Sequence, residues 1–219
     1  MVPLPPYGDG FSSGGEYVQV AGLADGRRVN DALRQLVLED MALAQQSAPP
    51  KALRPDEYPG EYVIRGAAAD LAATSSFVSV MIPASFGLPN GNPQAYWLAL
   101  TVRVPSGEPV RFTDLLADPT AAFTTLAQVV KRRLRADPCV GEDFDRLPPH
   151  AEWDTAEPYR DFALIDGALV LGYGKYQVGA GACGSVRVVI PWSEVSQLMT
   201  KETLGWMASL PQNTQSPSR

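Results

Sequence analysis

Two apolar, β-prone runs, Phe162 to Ile165 and Ala168 to Tyr173, flank Asp166-Gly167, a pair suited to the positive φ angles of a type I′ turn. The pattern predicts a hairpin. A small-residue corner follows at Gly179 to Gly184, then a third strand at Ser185 to Ile190, in which Val186, Val188 and Ile190 face one way and Arg187 and Val189 the other. Pro191 ends that strand, because proline cannot extend the ladder. Ser193 is placed to N-cap a short helix with Val195, Leu198 and Met199 as its apolar stripe.

Upstream the period changes. Val29 to Gln46 repeats apolar residues at helical spacing, with Val29, Leu33, Leu36, Val37, Met41 and Ala44 on one face. Glu16 to Leu23 reads as a first strand. Glu61 to Ala73, Ser75 to Phe86 and Gln94 to Pro105 read as an antiparallel meander. Val110 to Phe112 reads as a short strand, with Thr113 capping the turn after it. Asp118-Pro119 is an N-cap and first-turn proline opening a second main helix, whose buried stripe is Phe123, Leu126, Val130 and Leu134. Met1 to Gly15, rich in Pro, Gly and Ser, is expected to be a flexible arm, and residues 208–219 a disordered tail. The expected fold is α+β: an antiparallel β-sheet with two principal helices packed on it and a loop-rich edge. It forms a single domain over 16–207, with an N-terminal lobe at about 16–112 and a C-terminal lobe at about 113–207.

Composition narrows the function classes. The 219 residues suffice for one domain that buries roughly 70% of its unfolded surface. With 45% hydrophobic and only 19% charged residues the chain is not a disordered protein. A net charge of −6 disfavours nucleic acid and anionic lipid surfaces as partners and favours a basic one. No apolar run is long enough to span a bilayer, and MVPLPPYGDG lacks the charged and apolar regions of a signal peptide.

The order of the pieces carries a resemblance. A DG-turn hairpin, an aromatic YGKYQV segment, the GAGACG corner, a VRVVIP strand and a terminal SEVSQL helix, preceded by TSSFVSVMIPASF and VRVPSGEPVRFTDLLADP, together resemble the C-terminal domain of the RsiV family. That domain occurs in RsiV-type anti-sigma factors, PdaC-type cell-wall proteins and secreted mycobacterial antigens. The likeness spans roughly Tyr17 to Met199, although GLPNGNP stands where the family's Gly-Gly-Ala-His type loop is expected. It implies an extracytoplasmic protein, secreted or anchored at the cell surface, which agrees with MVPLPPYGDG only if a signal or anchor segment precedes Met1. It also implies a non-enzymatic module that binds an envelope ligand: a lysozyme-type protein or peptidoglycan.

The oxidising compartment so implied bears on Cys139 and Cys183. Both lie in Pro- and Gly-rich loops, where a bridge distorts neither strand nor helix, and a disulfide between them is expected. The alternative is two unrelated thiols.

Candidate chemistry is sparse. The one histidine, His150, is the only general base for a Ser-His-Asp arrangement, with Ser185 or Ser193 as nucleophile and Asp154 or Asp161 as orienting carboxylate. No G-x-S-x-G elbow supports it, so a small secreted or wall-associated serine esterase is the alternative function. The acidic residues Asp137, Glu142, Asp143 and Asp145 match no EF-hand spacing, and Glu152 with Asp154 lacks the signs of a glycosidase pair. GAGACG precedes a strand rather than a helix and is no phosphate loop. The KRRLR cluster at residues 131–135 complements the end of its helix. No cofactor or metal is expected. What remains is recognition through Tyr159, Tyr173, Tyr176 and Trp192, large amphipathic side chains in or beside the hairpin unit.

Overall fold

The computed structural model describes residues 1–5, 11–23, 25–47, 60–87, 91–145 and 152–210. The described elements are, in order, β1 (Val2–Pro3), β2 (Phe11–Tyr17), α1 (Gly26–Gln46), β3 (Gly60–Arg65), β4 (Asp70–Ala73), β5 (Phe77–Gly87), β6 (Gln94–Arg103) and α2 (Pro119–Ala136). They continue with β7 (Phe162–Ile165), β8 (Ala168–Tyr173), β9 (Val186–Pro191), α3 (Trp192–Val195) and α4 (Lys201–Ser209). The fold is α+β.

Strand β5 is the axis of the molecule. On one edge it pairs antiparallel with β4 and then β3, and on the other with β6 along almost its whole length. Its side chains alternate between two cores. Val78, Val80, Ile82 and Ala84 join the buried stripe of α1, formed by Val29, Leu33, Val37, Met41 and Ala44. Phe77 and Met81 point the other way, into the core that holds α2 and the three-stranded sheet β7-β8-β9. The layers therefore run helix, sheet, sheet, helix.

The two sheets meet through polar and steric detail. Ser79 and Thr101, both buried, share a 2.7 Å hydrogen bond, and Leu164 N–H donates to Ser79 Oγ at 2.8 Å. Trp97 Nε1 donates to Val186 C=O at 3.1 Å, and Arg187 pairs with Asp70 at 2.9 Å. A Cβ at Gly172 would lie 2.7 Å from Trp97 Cβ, so only glycine lets β8 and β6 approach this closely.

The hairpin forms where expected, with Asp166 and Gly167 both at positive φ. Asp118 caps α2 by accepting from Ala121 N–H at 3.2 Å. The arginines of α2 are engaged in ion pairs, Arg132 and Arg133 with Glu194 and Arg135 with Asp145, while Lys131 Nζ lies 5.8 Å from the Trp153 ring centroid.

Other expectations need correction. The sheet is not wholly antiparallel, because β2 runs parallel to β3 after the α1 crossover. Residues 11–15, read as part of a flexible arm, belong to β2. Their backbone ladder to β3 stands in for an alternating apolar pattern, and Gly15, at φ +99°, is packed so tightly that a Cβ would sit 1.8 Å from Ile64 C=O. The first strand thus ends at Tyr17 rather than running through Glu16 to Leu23. The run from Glu61 to Ala73 divides into β3 and β4 at Gly66, which lies against Glu16 C=O. Phe112 opens a 3₁₀ turn instead of ending a strand, and Asp114, not Thr113, accepts from Arg111 N–H at 2.9 Å. Helix α3 begins at Trp192, inside Pro191, with no side-chain cap from Ser193.

A disulfide joins Cys139 to Cys183 with Cα atoms 5.7 Å apart, tying the end of α2 to the corner between β8 and β9. The two cysteines are 44 residues apart, so the Cys139→Ser/Cys183→Ser variant should lose up to about 4 kcal/mol of unfolding free energy in denaturant titrations. Gly172→Ala should destabilise the fold by about 1–3 kcal/mol, since Trp97 must move. Gly205→Ala is the opposite case. It lies inside α4 with open space around its Cβ position and should gain about 0.5–1 kcal/mol in the same titrations.

Candidate functional site: a groove between the two cores

A groove opens where the edge of β6 meets α1 on one side and the start of β7 on the other. Helix α1 contributes Leu36, Asp40 and Leu43, spaced i, i+4, i+7 and therefore in one row beside its buried stripe. Phe86, Tyr96 and Leu98 extend the apolar wall, and Arg160, Asp161 and Gln177 close the far side. The groove has a volume of about 420 Å³. The same three residues also line a second cavity of about 300 Å³, with Glu152, Glu157 and Tyr173 among its other walls. The two spaces thus share one wall.

Asp40 is held in place. Tyr62 and Tyr96 both donate their hydroxyls to Asp40 Oδ2, each at 2.6 Å. Burial first, and then the Asp40 charge, pushes both phenols well above tyrosine's ordinary range, so they stay protonated donors. No Lys, Arg or His among the described residues forms an ion pair with Asp40.

Asp161 faces a different environment. Arg160 divides its guanidinium between Asp161 at 3.4 Å and Glu157 at 3.1 Å. Burial raises the Asp161 carboxyl above its ordinary 3.8, Arg160 opposes that rise, and the Glu157 and Asp40 charges reinforce it. The backbone carbonyl of Asp161 accepts from Gly172 N–H at 2.7 Å, which fixes the residue at the mouth of the β7-β8 hairpin. Gln177 Oε1 accepts from Gly174 N–H at 2.6 Å, while Lys175 N–H donates to Ala95 C=O at 2.7 Å and anchors the loop to β6.

The four aromatics expected to recognise a partner divide. Tyr159, Tyr173 and Trp192 are buried, and Tyr159 stacks on Phe112 and Phe123 while donating to Trp153 C=O at 2.8 Å. These three serve the C-terminal core. The hydroxyl of Tyr173 and Nε1 of Trp192 are enclosed without a hydrogen-bond partner among the described residues, and Tyr173 borders the smaller cavity. Tyr176 is half exposed and left-handed at φ 70°, a rare backbone for a bulky residue, with Lys175 Nζ 5.2 Å from its ring centroid. Its ring packs against Gly181 of the disulfide-bearing corner, and its chain neighbour Gln177 lines the groove.

His150 lies outside the described residues. Ser185 and Ser193 flank opposite ends of β9, and only the Ser185 end adjoins Gly172 and Asp161. Asp161 is engaged by Arg160, and Asp137 Oδ1 accepts from Cys139 and Val140 N–H. Among the described residues no group of three His, Cys, Asp or Glu side chains converges as metal ligands. No helix among them is long and apolar enough to cross a membrane. Sequence reasoning missed Asp40 and Arg160 and saw Asp161 only as an orienting carboxylate. An aspartate flanking an amphipathic stripe looks like any solvated helix position until the β6 edge is placed against it.

The raised pKa of Asp161 has a definite sign in stability. The folded state holds this proton more tightly than the unfolded chain does, so the contribution is present below pH 3.8 and is lost as pH rises through the folded pKa. Asp161→Asn should therefore gain stability over the wild type as pH climbs from 3.5 to 7, with no gain at the acid end. Urea titrations across that range check it.

A family model matches part of the chain. Residues 113–193 match a family model described as a protein of unknown function, DUF3298. Among curated proteins none matches the sequence. The crystal structure of a DUF3298 family protein from Pseudomonas aeruginosa PAO1 is similar with a TM-score of 0.62, at 14% identity, covering 90% of this chain and 89% of that one. A DUF3298 family member from Bacteroides fragilis NCTC 9343 gives a TM-score of 0.51 at 12% identity, covering 94% of this chain and 88% of that one. The match thus runs from the 3₁₀ turn before α2 to the start of α3, and the chain shares its fold with solved DUF3298 proteins.

Proposed function

We propose that this protein is a non-enzymatic, extracytoplasmic binding domain whose ligand seat is the groove between α1 and the β7-β8 hairpin. The observation that carries this reading is Asp40, oriented by the hydroxyls of buried Tyr62 and half-buried Tyr96, each at 2.6 Å, yet turned toward a space that Asp161 and Arg160 also line. A carboxylate held this way across two elements is preorganised for recognition. The disulfide suits an oxidising compartment. The net charge of −6 suits a basic partner, and the resemblance to RsiV-type domains supports a lysozyme-type protein or peptidoglycan as the ligand. Tyr176, exposed at the corner that the disulfide restrains, would add contact area beside the groove.

The test is co-sedimentation with insoluble peptidoglycan and surface binding to an immobilised lysozyme-type protein, each at low and raised salt. At least one should bind at low salt, weaken as salt rises, and weaken further in the Tyr176→Ala variant. Absence of binding to both at low salt would overturn the reading.

A further inference from the structure

We infer that the α1 side of the groove seats a lysine or arginine side chain of a polypeptide partner, with its cation at Asp40 and Asp161 and its aliphatic stem against Leu36, Leu43 and Phe86. The inference deepens the binding role proposed above and rests on it.

Three features define the occupant. The first is charge: Glu39, Asp40 and Asp161 line the groove, while Arg160, the one cation lining it among the described residues, is already divided between Asp161 and Glu157. An anionic ligand would meet that excess of negative charge at short range. The second is the wall. Leu43 is 61% exposed and Leu36 and Phe86 are partly buried, so the carboxylates sit beside an apolar surface. A bare metal ion makes no use of such a surface, whereas the methylene stems of lysine and arginine cover one while their heads stay polar. The third is shape. Small-molecule sites are enclosed, but among the described residues this groove is open and shares the Arg160-Asp161 wall with a second cavity, so a cation delivered on a longer chain fits it better than a free amine.

The test is an amide NMR titration of the full chain with capped Gly-Lys-Gly-Lys-Gly, with the same peptide acetylated on both lysine side chains, and with cadaverine. Shifts are expected at Asp40, Leu43, Tyr96 and Asp161 with the first peptide. Acetylation should weaken binding by about tenfold or more, the scale of one charge-assisted hydrogen bond, and Asp40→Asn should do the same while still accepting from both tyrosines. Leu43→Ser should weaken the peptide several-fold without disturbing the fold, since Leu43 is exposed. Shifts elsewhere, indifference to acetylation, or cadaverine binding as tightly as the peptide would each overturn the inference. If the protein binds peptidoglycan or a lysozyme-type protein and Asp40→Asn leaves that binding unchanged, the cation seat falls and the broader reading stands. If neither is bound at low salt, the broader reading falls first.

Discussion

The structure depends on one strand having to satisfy two cores. Because β5 buries both faces, neither α1 nor the β7-β9 sheet can shift without exposing apolar side chains of the same eleven residues. Ser79 sharpens that constraint. A serine in this position would be a liability in an apolar interface, but here its hydroxyl joins Thr101 to the backbone of Leu164 and so fixes the register of one sheet on the other. Gly172 sets the spacing, since β8 can lie against Trp97 only where no side chain intervenes.

The groove is a consequence of that seam. Sheet β7-β9 covers one side of β6 and α1 covers the other, and the β6 edge between them remains as the floor. Side chains from both cores converge there: Asp40 from the row flanking the α1 stripe, Tyr96 from β6, and Arg160 and Asp161 from the approach to β7. The two acids are not equivalent. Asp40 is held by neutral donors, while Asp161 is partly neutralised by Arg160 and made costlier to ionise by burial. An asymmetric pair of this kind favours one orientation of an incoming cation over its reverse.

How much of this was readable in the sequence follows from which signals are local. Period-two and period-3.6 patterning, Asp-Gly at a turn, and Asp-Pro at a helix start all act within a few residues, and β7, β8, α1 and α2 lie where those signals put them. Strand β2 carries almost no such signal. Its FSSGGEY sequence is extended because β3 offers it a ladder, and Gly15 is required by a contact with Ile64 that the sequence places 49 positions away. The aromatic residues illustrate the converse. Tyr159, Tyr173 and Trp192 have the chemistry of recognition, yet that chemistry also suits a core, and only packing decides between the two.

The extent of the family match carries a further consequence for the site. Residues 113–193 contribute Arg160, Asp161, Tyr173 and Gln177, the wall that both cavities share and one face of the smaller one. Asp40, Tyr62 and Tyr96, which form the oriented carboxylate, all lie outside that segment. The groove is therefore composite: the matched segment builds the Arg160-Asp161 wall, and the preceding α1 and β6 complete the opposite wall and its charge. Ligand preference in such an arrangement is set jointly. A different residue at position 40 alters the groove without touching the matched segment, so proteins that share residues 113–193 in pattern need not share a ligand.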